Sequence, residues 1–599
     1  MEVKLRSEIA DEFKWNLSHI YSCLDELGVD YKNIEESIKN IIGFKKISKH
    51  EKEDPEIMKK CLDIVTNTSK LMNKMLVYVQ RLYDQEQNNE YADELVKKIT
   101  DLSRKFHTST KFITSNIIKF DDVVIEKFLS SEILSDYHFY IKHIRLKKDH
   151  ILSQAEEELL SKISDVFSTS PEVYTIFKNT ELKYSKMIKE NGDEILMDDH
   201  NYREIRESSN RNERKLGYDT FWKTYDDYKG TFTKLIHKYI NSIVTDDKIR
   251  KYNSSLESAL SSDNIPVSIY NNLIENVSNN LDKFRDYLNF RKTMLNYDEL
   301  YYYDLYNPIV DNVDYKYSYD DAKVLLLKST AILGEDYTKI MKRAISEQWI
   351  DVYPNKFKDT GAYMSGSAYD VHPYILMNYN DKFNDVSTLL HELGHAGHSV
   401  LSNENQTYNK SDYSIFIAEI ASTTNEILLF DYMYKNTDNK QQKIFLLNNY
   451  IEHFRTTVFR QTMFAEFEKF MYESVESDNM LTPSLMNDKY FDLLKKYHGN
   501  MNIDKLYANE WAFVPHFYYN FYVFQYSTSF ISSIIIATKI INGDKVQLDK
   551  YMELLKSGGK DYPVELLKIA GVDLTDENCY KIAFDEFSNR LNELKELLK

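Results

Sequence analysis

Residues that break helices are scarce along this chain, and the apolar positions between them predict long helices. Only 15 Gly and 9 Pro occur in 599 residues, and these residues most often end or kink a helix. Residues 202–225, for example, keep apolar positions at helical spacing. No stretch rich in Gly, Ser or Pro marks a linker, and no internal repeat is visible. We therefore expect a mainly α fold.

One departure from the helical pattern lies in residues 186–197. Asn191-Gly192 stands there between two arms that contain apolar residues. This dipeptide favours a two-residue β-hairpin. We take the hairpin as a boundary and divide the chain into a helical N-terminal region, 1–200, and a second region, 201–599.

A second non-helical stretch covers residues 361–380. Pro373 stands at the start of the segment Tyr-Ile-Leu-Met-Asn-Tyr, a position that suits an edge strand because proline cannot donate to a β-ladder. An exposed edge can hold an extended peptide through main-chain hydrogen bonds, without demanding a particular sequence. A small sheet that binds no ligand is the alternative.

The apolar residues of the stretch 384–401 predict a buried helix with capping residues at 384–388. The pentapeptide His-Glu-Leu-Gly-His begins at His391 within it. His391 and His395 project from one face, one turn apart. Two such imidazoles can share one Zn²⁺ at roughly 2.0–2.1 Å. Glu392 is placed to take a proton from a metal-bound water.

The next residues of this helix limit the class of site. His398 lies seven residues beyond His391, too far along the axis for both to join His395 easily on one ion, so we expect it to pack or to act in an outer layer. Leu401 stands where the H-E-x-x-H-x-x-G-x-x-H class has its third histidine, which excludes that class. The third protein ligand must come from elsewhere.

The stretch 413–430 is apolar nearly all round, which predicts a second buried helix. Glu419 lies in its middle, and a buried carboxylate is costly unless it is paired or bound to a cation. No Lys or Arg occurs between Asp412 and Lys435. We assign Glu419 as the third zinc ligand and Glu426 as an acceptor for the N–H of a ligand histidine. Pairing of Glu419 with a distant basic residue is the alternative.

A third stretch, rich in rings and hydroxyls, begins at Pro515. Proline suits the first turn of a helix, which would place His516 near the N-terminus. Tyr519, Tyr522 and Tyr526 would then share one face. Phenols beside a zinc-bound carbonyl can donate hydrogen bonds to the oxyanion that forms when water attacks. Because the chain contains 47 Tyr, an ordinary aromatic stripe in the core is the alternative.

Charge and cysteine content narrow the partners and the compartment. The net charge of −18 argues against nucleic acid, whose phosphates need basic patches. The three scattered cysteines favour a reducing compartment. The N-terminus has no apolar signal segment, and the apolar run near 530–541 is too short to span a bilayer. We expect a cytoplasmic protein without a membrane partner.

The three motif regions together resemble the M3 family of zinc oligopeptidases, and most closely its oligoendopeptidase F branch. Supporting stretches occur at 15–21, 361–366, 373–378 and 557–573, so the resemblance covers nearly the whole chain. The aromatic segment 517–520 stands where the thimet-oligopeptidase branch has a Gly-rich loop. Loop motions of that branch are therefore not carried over.

The resemblance implies two largely helical lobes around a deep substrate channel, with a small β-sheet beside the zinc site. It implies a zinc endopeptidase that cleaves short, unstructured peptides, with one Zn²⁺ per chain. Glu392 would act as general base, and His516 with Tyr526 or Tyr519 would stabilise the oxyanion. The predicted substrate-binding residues are Gly361, Ala362, Tyr363 and Tyr522.

Two other functions fit parts of the pattern. A metallocarboxypeptidase of similar helical fold also uses H-E-x-x-H and a distant Glu. A catalytically silent peptide-binding protein could keep zinc for structure alone. Glu392 argues against the silent protein, because a structural zinc site needs no general base and usually has four protein ligands.

Overall fold

The computed structural model describes residues 3–310 and 315–599, and helices dominate it. The expected mainly α fold with small β-sheets is confirmed. Within the described residues, no helix is both long and apolar enough to cross a membrane. The helices are α1 (Leu24–Lys45), α2 (Lys49–Lys52), α3 (Pro55–Asp84), α4 (Glu90–Lys119), α5 (Asp122–Leu129), α6 (His138–Arg145), α7 (Gln154–Ile176), α8 (Asp199–Ile205), α9 (Arg211–Ile249), α10 (Ser255–Ser261), α11 (Val267–Asn279), α12 (Leu281–Met294), α13 (Tyr319–Thr330), α14 (Glu335–Ser346), α15 (Phe383–Asn405), α16 (Tyr408–Ser411), α17 (Ile415–Lys435), α18 (Lys440–Phe454), α19 (Arg460–Glu476), α20 (Pro483–His498), α21 (Phe524–Ile541), α22 (Lys545–Lys556), α23 (Pro563–Ile569) and α24 (Glu577–Leu597). The strands are β1 (Lys186–Ile188), β2 (Glu194–Leu196), β3 (Ile350–Asp351), β4 (Tyr363–Ser365) and β5 (Tyr374–Leu376).

The chain forms two compact units, and each unit is assembled from three separate segments. The two regions expected from the sequence, 1–200 and 201–599, stay a prediction. Unit 1 comprises Met1–Lys148, Asp314–Asn436 and Ser533–Val572, and unit 2 comprises Asp149–Val313, Thr437–Ser532 and Asp573–Lys599.

In unit 1, helices α1, α3 and α4 bury their apolar faces against one another. Pro55 opens α3, and the Asp54 carboxylate accepts hydrogen bonds from the first backbone N–H groups of that helix. Ile34 and Met75 are fully buried in the resulting core. Complete burial of such a side chain stabilises the fold by roughly 1.5–3 kcal/mol. The same core includes Tyr374 of β5, so it connects the N-terminal helices to the sheet.

The sheet of unit 1 has the strand order β3-β5-β4, with β5 parallel to β3 and antiparallel to β4. The expectation of an edge strand after Pro373 is wrong, because β5 is the central strand and is fully buried. Pro373 is tolerated because it precedes the β-ladder, which requires no backbone N–H donor at that position. The two edges of this sheet belong to β3 and β4.

The N-terminal segment is attached to this sheet by a buried carboxylate. Asp351 of β3 receives Arg6 Nη2 at 2.6 Å and Lys358 Nζ at 2.7 Å. Burial would raise the pKa of Asp351, but the two cations overcome that effect and hold it below its usual value. Asp351 therefore stays ionised in the fold.

In unit 2, the long helix α9 contacts α7, α19 and α20. The expected hairpin is present as β1 and β2, but the prediction of a two-residue turn is wrong. Gly192 N donates to Lys189 O at 2.9 Å, and Lys189 N donates to Asp193 O at 2.9 Å, which makes a three-residue connection. Gly192 takes a φ of +91°, as the last position of a three-residue hairpin loop requires.

Candidate active site

Helices α15 and α17 of unit 1 approach each other very closely, and Gly394 permits that approach. A Cβ at residue 394 would lie 2.6 Å from Ser422 Cα and 2.7 Å from Ala421 O. A glycine inside a helical pattern is visible in the sequence, but the reason for this glycine is clear only once the neighbouring helix is known. The close contact brings the His391 turn of α15 beside Glu419 of α17.

Helix α15 begins one residue before the predicted capping stretch 384–388. Lys382 is its N-cap residue, and the Asp385 carboxylate accepts from the N–H groups of Lys382 at 3.0 Å and Asn380 at 2.8 Å. An acidic side chain in the first turn also suits the positive end of the helix. The predicted buried helix is confirmed, and the cap is corrected.

Three predicted ligands converge where the two helices meet. His391, His395 and Glu419 each offer a ligand atom, and these atoms lie within 4.8 Å of one another. Glu419 Oε2 is 3.3 Å from His391 Nε2 and 3.6 Å from His395 Nε2. Two imidazole nitrogens and one carboxylate oxygen form the donor set of many catalytic zinc sites. The residues therefore fit the metal that the family resemblance implies.

The other ring nitrogens are occupied in the manner expected of metal ligands. His391 Nδ1 lies 2.6 Å from Glu426 Oε1, and the His395 ring hydrogen-bonds to the backbone of Ala418. Such outer partners fix the orientation of a ligand imidazole and raise its basicity. Ser387 Oγ donates to Glu426 Oε2 at 3.1 Å and so holds the acceptor in place.

Electrostatics keep Glu419 ionised. Burial alone would raise the pKa of Glu419, but the hydrogen bond from His391 and the electrostatic effect of His395 lower the pKa to about 2. Ser422 Oγ donates to Glu419 Oε2 at 3.0 Å. The described residues around Glu419 supply no Lys or Arg within ion-pair distance, so the alternative of a distant basic partner is not realised there.

Glu392 directly follows His391, and His398 lies three residues after His395; the two side chains have different environments. Glu392 is 7% exposed and accepts a hydrogen bond from the backbone of Met364 in β4. Burial raises the pKa of Glu392 to about 7, against the opposing effect of His391. The His398 ring is fully buried and stacks on Tyr413 at 3.7 Å. Burial lowers the pKa of His398 to about 3, so it stays neutral.

Of the predicted substrate-binding residues 361–363, Tyr363 begins β4, and Gly361 and Ala362 immediately precede it. Tyr363 donates its hydroxyl proton to Asp84, and the guanidinium of Arg81 lies 4.6 Å from its ring centroid. Gly361 has a φ of +78°, and its carbonyl accepts from Asn378 Nδ2 at 2.8 Å. These contacts fix the strand whose N–H group reaches Glu392.

A cavity of about 560 Å³ adjoins His395 and Glu419 in unit 1. Its wall is formed by hydroxyl and amide side chains from α3, the segment after β4, and the residues before α17. This wall was not predictable from the sequence, because its members are distant in the chain and none carries a recognisable motif. The lining includes Asn73, Tyr369, Ser399, Tyr408, Asp412 and Tyr413.

The predicted aromatic residues around His516 lie in unit 2, and a turn in the chain brings them together. The expected continuous helix from Pro515 is wrong, since a short 3₁₀ turn ends at Tyr518 and α21 begins at Phe524. Asn520 and Phe521, with φ of 31° and 55°, break the helix between them.

The predicted rings nevertheless gather around His516. Tyr526 Oη lies 3.4 Å from His516 Nε2. Burial and Lys178 lower the pKa of His516, which favours its neutral form. Tyr519 is 59% exposed. Neighbouring ring centroids in the cluster, defined as His516, Tyr519, Tyr522 and Tyr526, are 5.4–6.4 Å apart.

Comparison with known proteins supports the resemblance seen in the motifs. A profile of peptidase family M3 matches residues 205–586, and one named Oligopeptidase F matches residues 116–184. Oligopeptidase PepF of Bacillus subtilis (strain 168) is 36% identical over 596 residues, which cover 99% of this chain and 88% of that protein.

Solved structures agree with this assignment. A structure from Chlamydophila abortus matches with a TM-score of 0.92 and 30% identity, covering 100% of both chains. Oligoendopeptidase-F from Enterococcus faecium matches with a TM-score of 0.72 and 29% identity, covering 96% of this chain and 99% of that one. The chain therefore belongs to peptidase family M3, and as an oligoendopeptidase F homologue it is a metalloendopeptidase.

Proposed function

We propose that this protein hydrolyses internal bonds of short, unstructured peptides at a zinc centre held by His391, His395 and Glu419. The observation that carries the proposal is the convergence of three ligand atoms within 4.8 Å beside a buried Glu392. Glu426 and the backbone of Ala418 hydrogen-bond to the histidine ring nitrogens that would not bind the metal, as the outer partners of ligand imidazoles do.

Zinc bound there would activate water and polarise the scissile carbonyl. The affinity order of divalent metals also permits Co²⁺ or Cu²⁺ at such a donor set. Glu419 contributes the negative charge of the donor set, and its low pKa keeps that charge available at neutral pH. Three protein ligands leave a coordination position open, which distinguishes a catalytic from a structural zinc site.

Glu392 would move the proton. Its carboxylate would accept the proton of the attacking water and then deliver it to the nitrogen of the leaving amine. The hydrogen bond from the Met364 backbone to Glu392 limits the rotation of the carboxylate. Burial removes competing water from the same carboxylate.

The aromatic cluster would supply donors to the oxyanion. Tyr526 and His516 are the principal candidates, because their polar atoms lie 3.4 Å apart and can serve one oxygen. Tyr519 is the second phenol candidate, and its 59% exposure leaves it available to a ligand. Tyr522 is proposed to contact the substrate itself.

Two features of unit 1 favour an extended peptide as substrate. Strand β4 is an edge strand, and main-chain pairing along an edge binds a peptide with little demand on its sequence. The cavity beside His395 and Glu419 offers about 560 Å³ for side chains. Gly361, Ala362 and Tyr363 are the residues that we propose to bind the peptide beside this edge. Short peptides are the partners that we propose.

A cytoplasmic location fits the same proposal. The three cysteines, all within the described residues, form no disulfide with one another. The lack of a disulfide among them suits a reducing compartment.

Glu392→Gln tests the mechanism, because the amide keeps the shape of the side chain and cannot accept the proton. We expect full zinc content and a loss of kcat of roughly 10²–10⁴-fold, the range for general acid–base catalysis. Unchanged hydrolysis with full zinc would contradict the role of Glu392 as the base.

Internally quenched peptides with free and amidated C-termini test the bond that is cleaved. An endopeptidase cleaves both forms at internal bonds. A metallocarboxypeptidase stops at the amidated terminus, and a silent peptide-binding protein cleaves neither form although it binds them.

A further inference from the structure

The aromatic cluster depends on a turn whose backbone is unfavourable for its residues. Asn520 and Phe521 both have positive φ, at 31° and 55°. A bulky residue such as phenylalanine rarely adopts this region, and such strain persists only where surrounding contacts enforce it. The turn lies between His516 and Tyr526, so its geometry decides whether their polar atoms meet.

A buried carboxyl group enforces the turn. Glu468 of α19 is 0% exposed, and its Oε1 accepts a hydrogen bond from Phe521 N at 2.8 Å. Tyr239 of α9 donates its hydroxyl proton to Tyr518 O at 2.9 Å and fixes the preceding residues. The Phe521 ring packs on Tyr472 at 4.5 Å between centroids.

We infer that Glu468 is a positioning residue, whose carboxyl group holds the 520–521 turn so that His516 and Tyr526 meet. The inference rests on the proposed oxyanion role of the aromatic cluster. Glu468 itself touches the backbone of Phe521, and it acts on the reaction only through the residues on either side of that turn.

The surroundings of Glu468 favour the uncharged form of its carboxyl group. The titratable groups that face it are the phenols of Tyr239 on α9, Tyr270 on α11 and Tyr472 on its own helix. Glu468 Oε2 has no hydrogen-bond partner among the described residues. Burial raises the pKa of Glu468 to about 8, so at neutral pH it is an uncharged acceptor.

Ionisation would disturb this arrangement. Because the folded-state pKa lies above the unfolded value of 4.5, the folded chain binds the extra proton, and stability falls as the pH rises from about 5 to 8. Above about pH 8, the carboxylate would carry a charge that the three phenols cannot balance. We therefore expect the turn to loosen, and kcat to fall, on the alkaline side.

Two substitutions separate the hydrogen bond from the charge. Glu468→Gln keeps an oxygen acceptor for Phe521 N–H and cannot ionise, whereas Glu468→Leu removes the acceptor and fills the space. Glu466→Gln is the matched control on the same helix, since Glu466 pairs with Lys496 Nζ at 2.7 Å and accepts from Tyr497 Oη at 3.1 Å rather than from the turn. kcat and KM are measured with a quenched peptide, together with zinc content.

Glu468→Leu should lower kcat by roughly 10–100-fold with KM within about threefold, because misplacement of about 1 Å costs on the order of 10²-fold. Glu468→Gln should stay within about threefold of the wild type at pH 7. The wild-type enzyme should lose activity relative to Glu468→Gln as the pH passes about 8. Glu466→Gln should affect stability without changing kcat.

Combination with Tyr526→Phe distinguishes the ways in which the inference can fail. If Glu468 acts through the cluster, Glu468→Leu should add little to the loss already caused by Tyr526→Phe. A loss in Tyr526→Phe with wild-type kcat in Glu468→Leu would overturn the inference alone. Wild-type kcat in Tyr526→Phe would overturn the oxyanion role and the inference with it.

The pH comparison still decides the matter if Glu468→Leu fails to fold. A constant activity ratio between the wild type and Glu468→Gln from pH 6 to pH 9.5 would overturn the inference. A ratio that falls above about pH 8 supports it.

Discussion

Gly394→Ala tests how closely the two metal-binding helices must pack. The new Cβ would lie 2.6 Å from Ser422 Cα and 2.7 Å from Ala421 O. Non-bonded carbon atoms normally approach to about 3.5–4.0 Å, so α15 and α17 must separate locally by roughly 1 Å. Glu419 lies one turn from Ser422 and would move with that backbone.

Two opposing effects determine the change in stability. In an open helix, replacing glycine by alanine stabilises the fold by about 0.5–1 kcal/mol. Overpacking a close contact costs about 1–3 kcal/mol, so Gly394→Ala should give a net loss of up to roughly 2.5 kcal/mol. The distances from the ligand atoms to the metal must hold within about 0.2 Å. The zinc dissociation constant should therefore rise by roughly 10–100-fold or more, which is the effect of losing a hydrogen-bond partner of a ligand histidine.

Chelator competition measures the zinc affinity, and chemical unfolding of the metal-free protein measures the stability. Gly230→Ala is the matched control, because Gly230 lies inside α9 and a Cβ there meets no atom within 4 Å. It should gain about 0.5–1 kcal/mol and leave zinc binding unchanged. If Gly394→Ala behaves like Gly230→Ala in both assays, the proposed role of the close contact is wrong.

Other substitutions test separate parts of the site and fold. Glu419→Ala should release zinc on dialysis and abolish hydrolysis, whereas Glu426→Ala should weaken zinc binding by about 10–100-fold; equal metal content in both would contradict the assigned ligands. Tyr526→Phe should lower kcat by roughly 10²–10³-fold with little change in KM. Tyr518→Phe should do much less, and equal small effects would indicate a core stripe. In the wild type, the free energy of unfolding should fall below about pH 4, because the Asp351 carboxylate favours the fold only while it is ionised beside its two cations. Asp351→Asn should reduce this fall, and an unchanged pH profile would contradict the prediction.

The candidate metal centre was largely predictable because its signals are local. Two histidines four residues apart must share a helix face, whatever surrounds the helix. Glu419 stood out because a carboxylate in an apolar helix without a nearby cation demands a partner. The roles of these residues remain predictions, but their proximity followed from helical spacing and the cost of burying charge.

The aromatic stretch shows where local signals fail. No glycine or proline separates Tyr518 from Phe524, so helical spacing looked continuous. The break occurs because a distant carboxyl group, Glu468, holds Phe521 in an unfavourable conformation. The central position of β5 was likewise hidden, since it depends on pairing with Ile350 and Asp351, far upstream.

The segmented make-up of the two units has a consequence for synthesis on the ribosome. Segment Met1–Lys148 is made before the partners that complete its core, Tyr374 and Leu376 of β5. Until then the apolar faces of α1, α3 and α4 lack that part of their cover. The newly made N-terminal helices should therefore need protection from aggregation, and a fragment ending near residue 200 should not yield a stable soluble product.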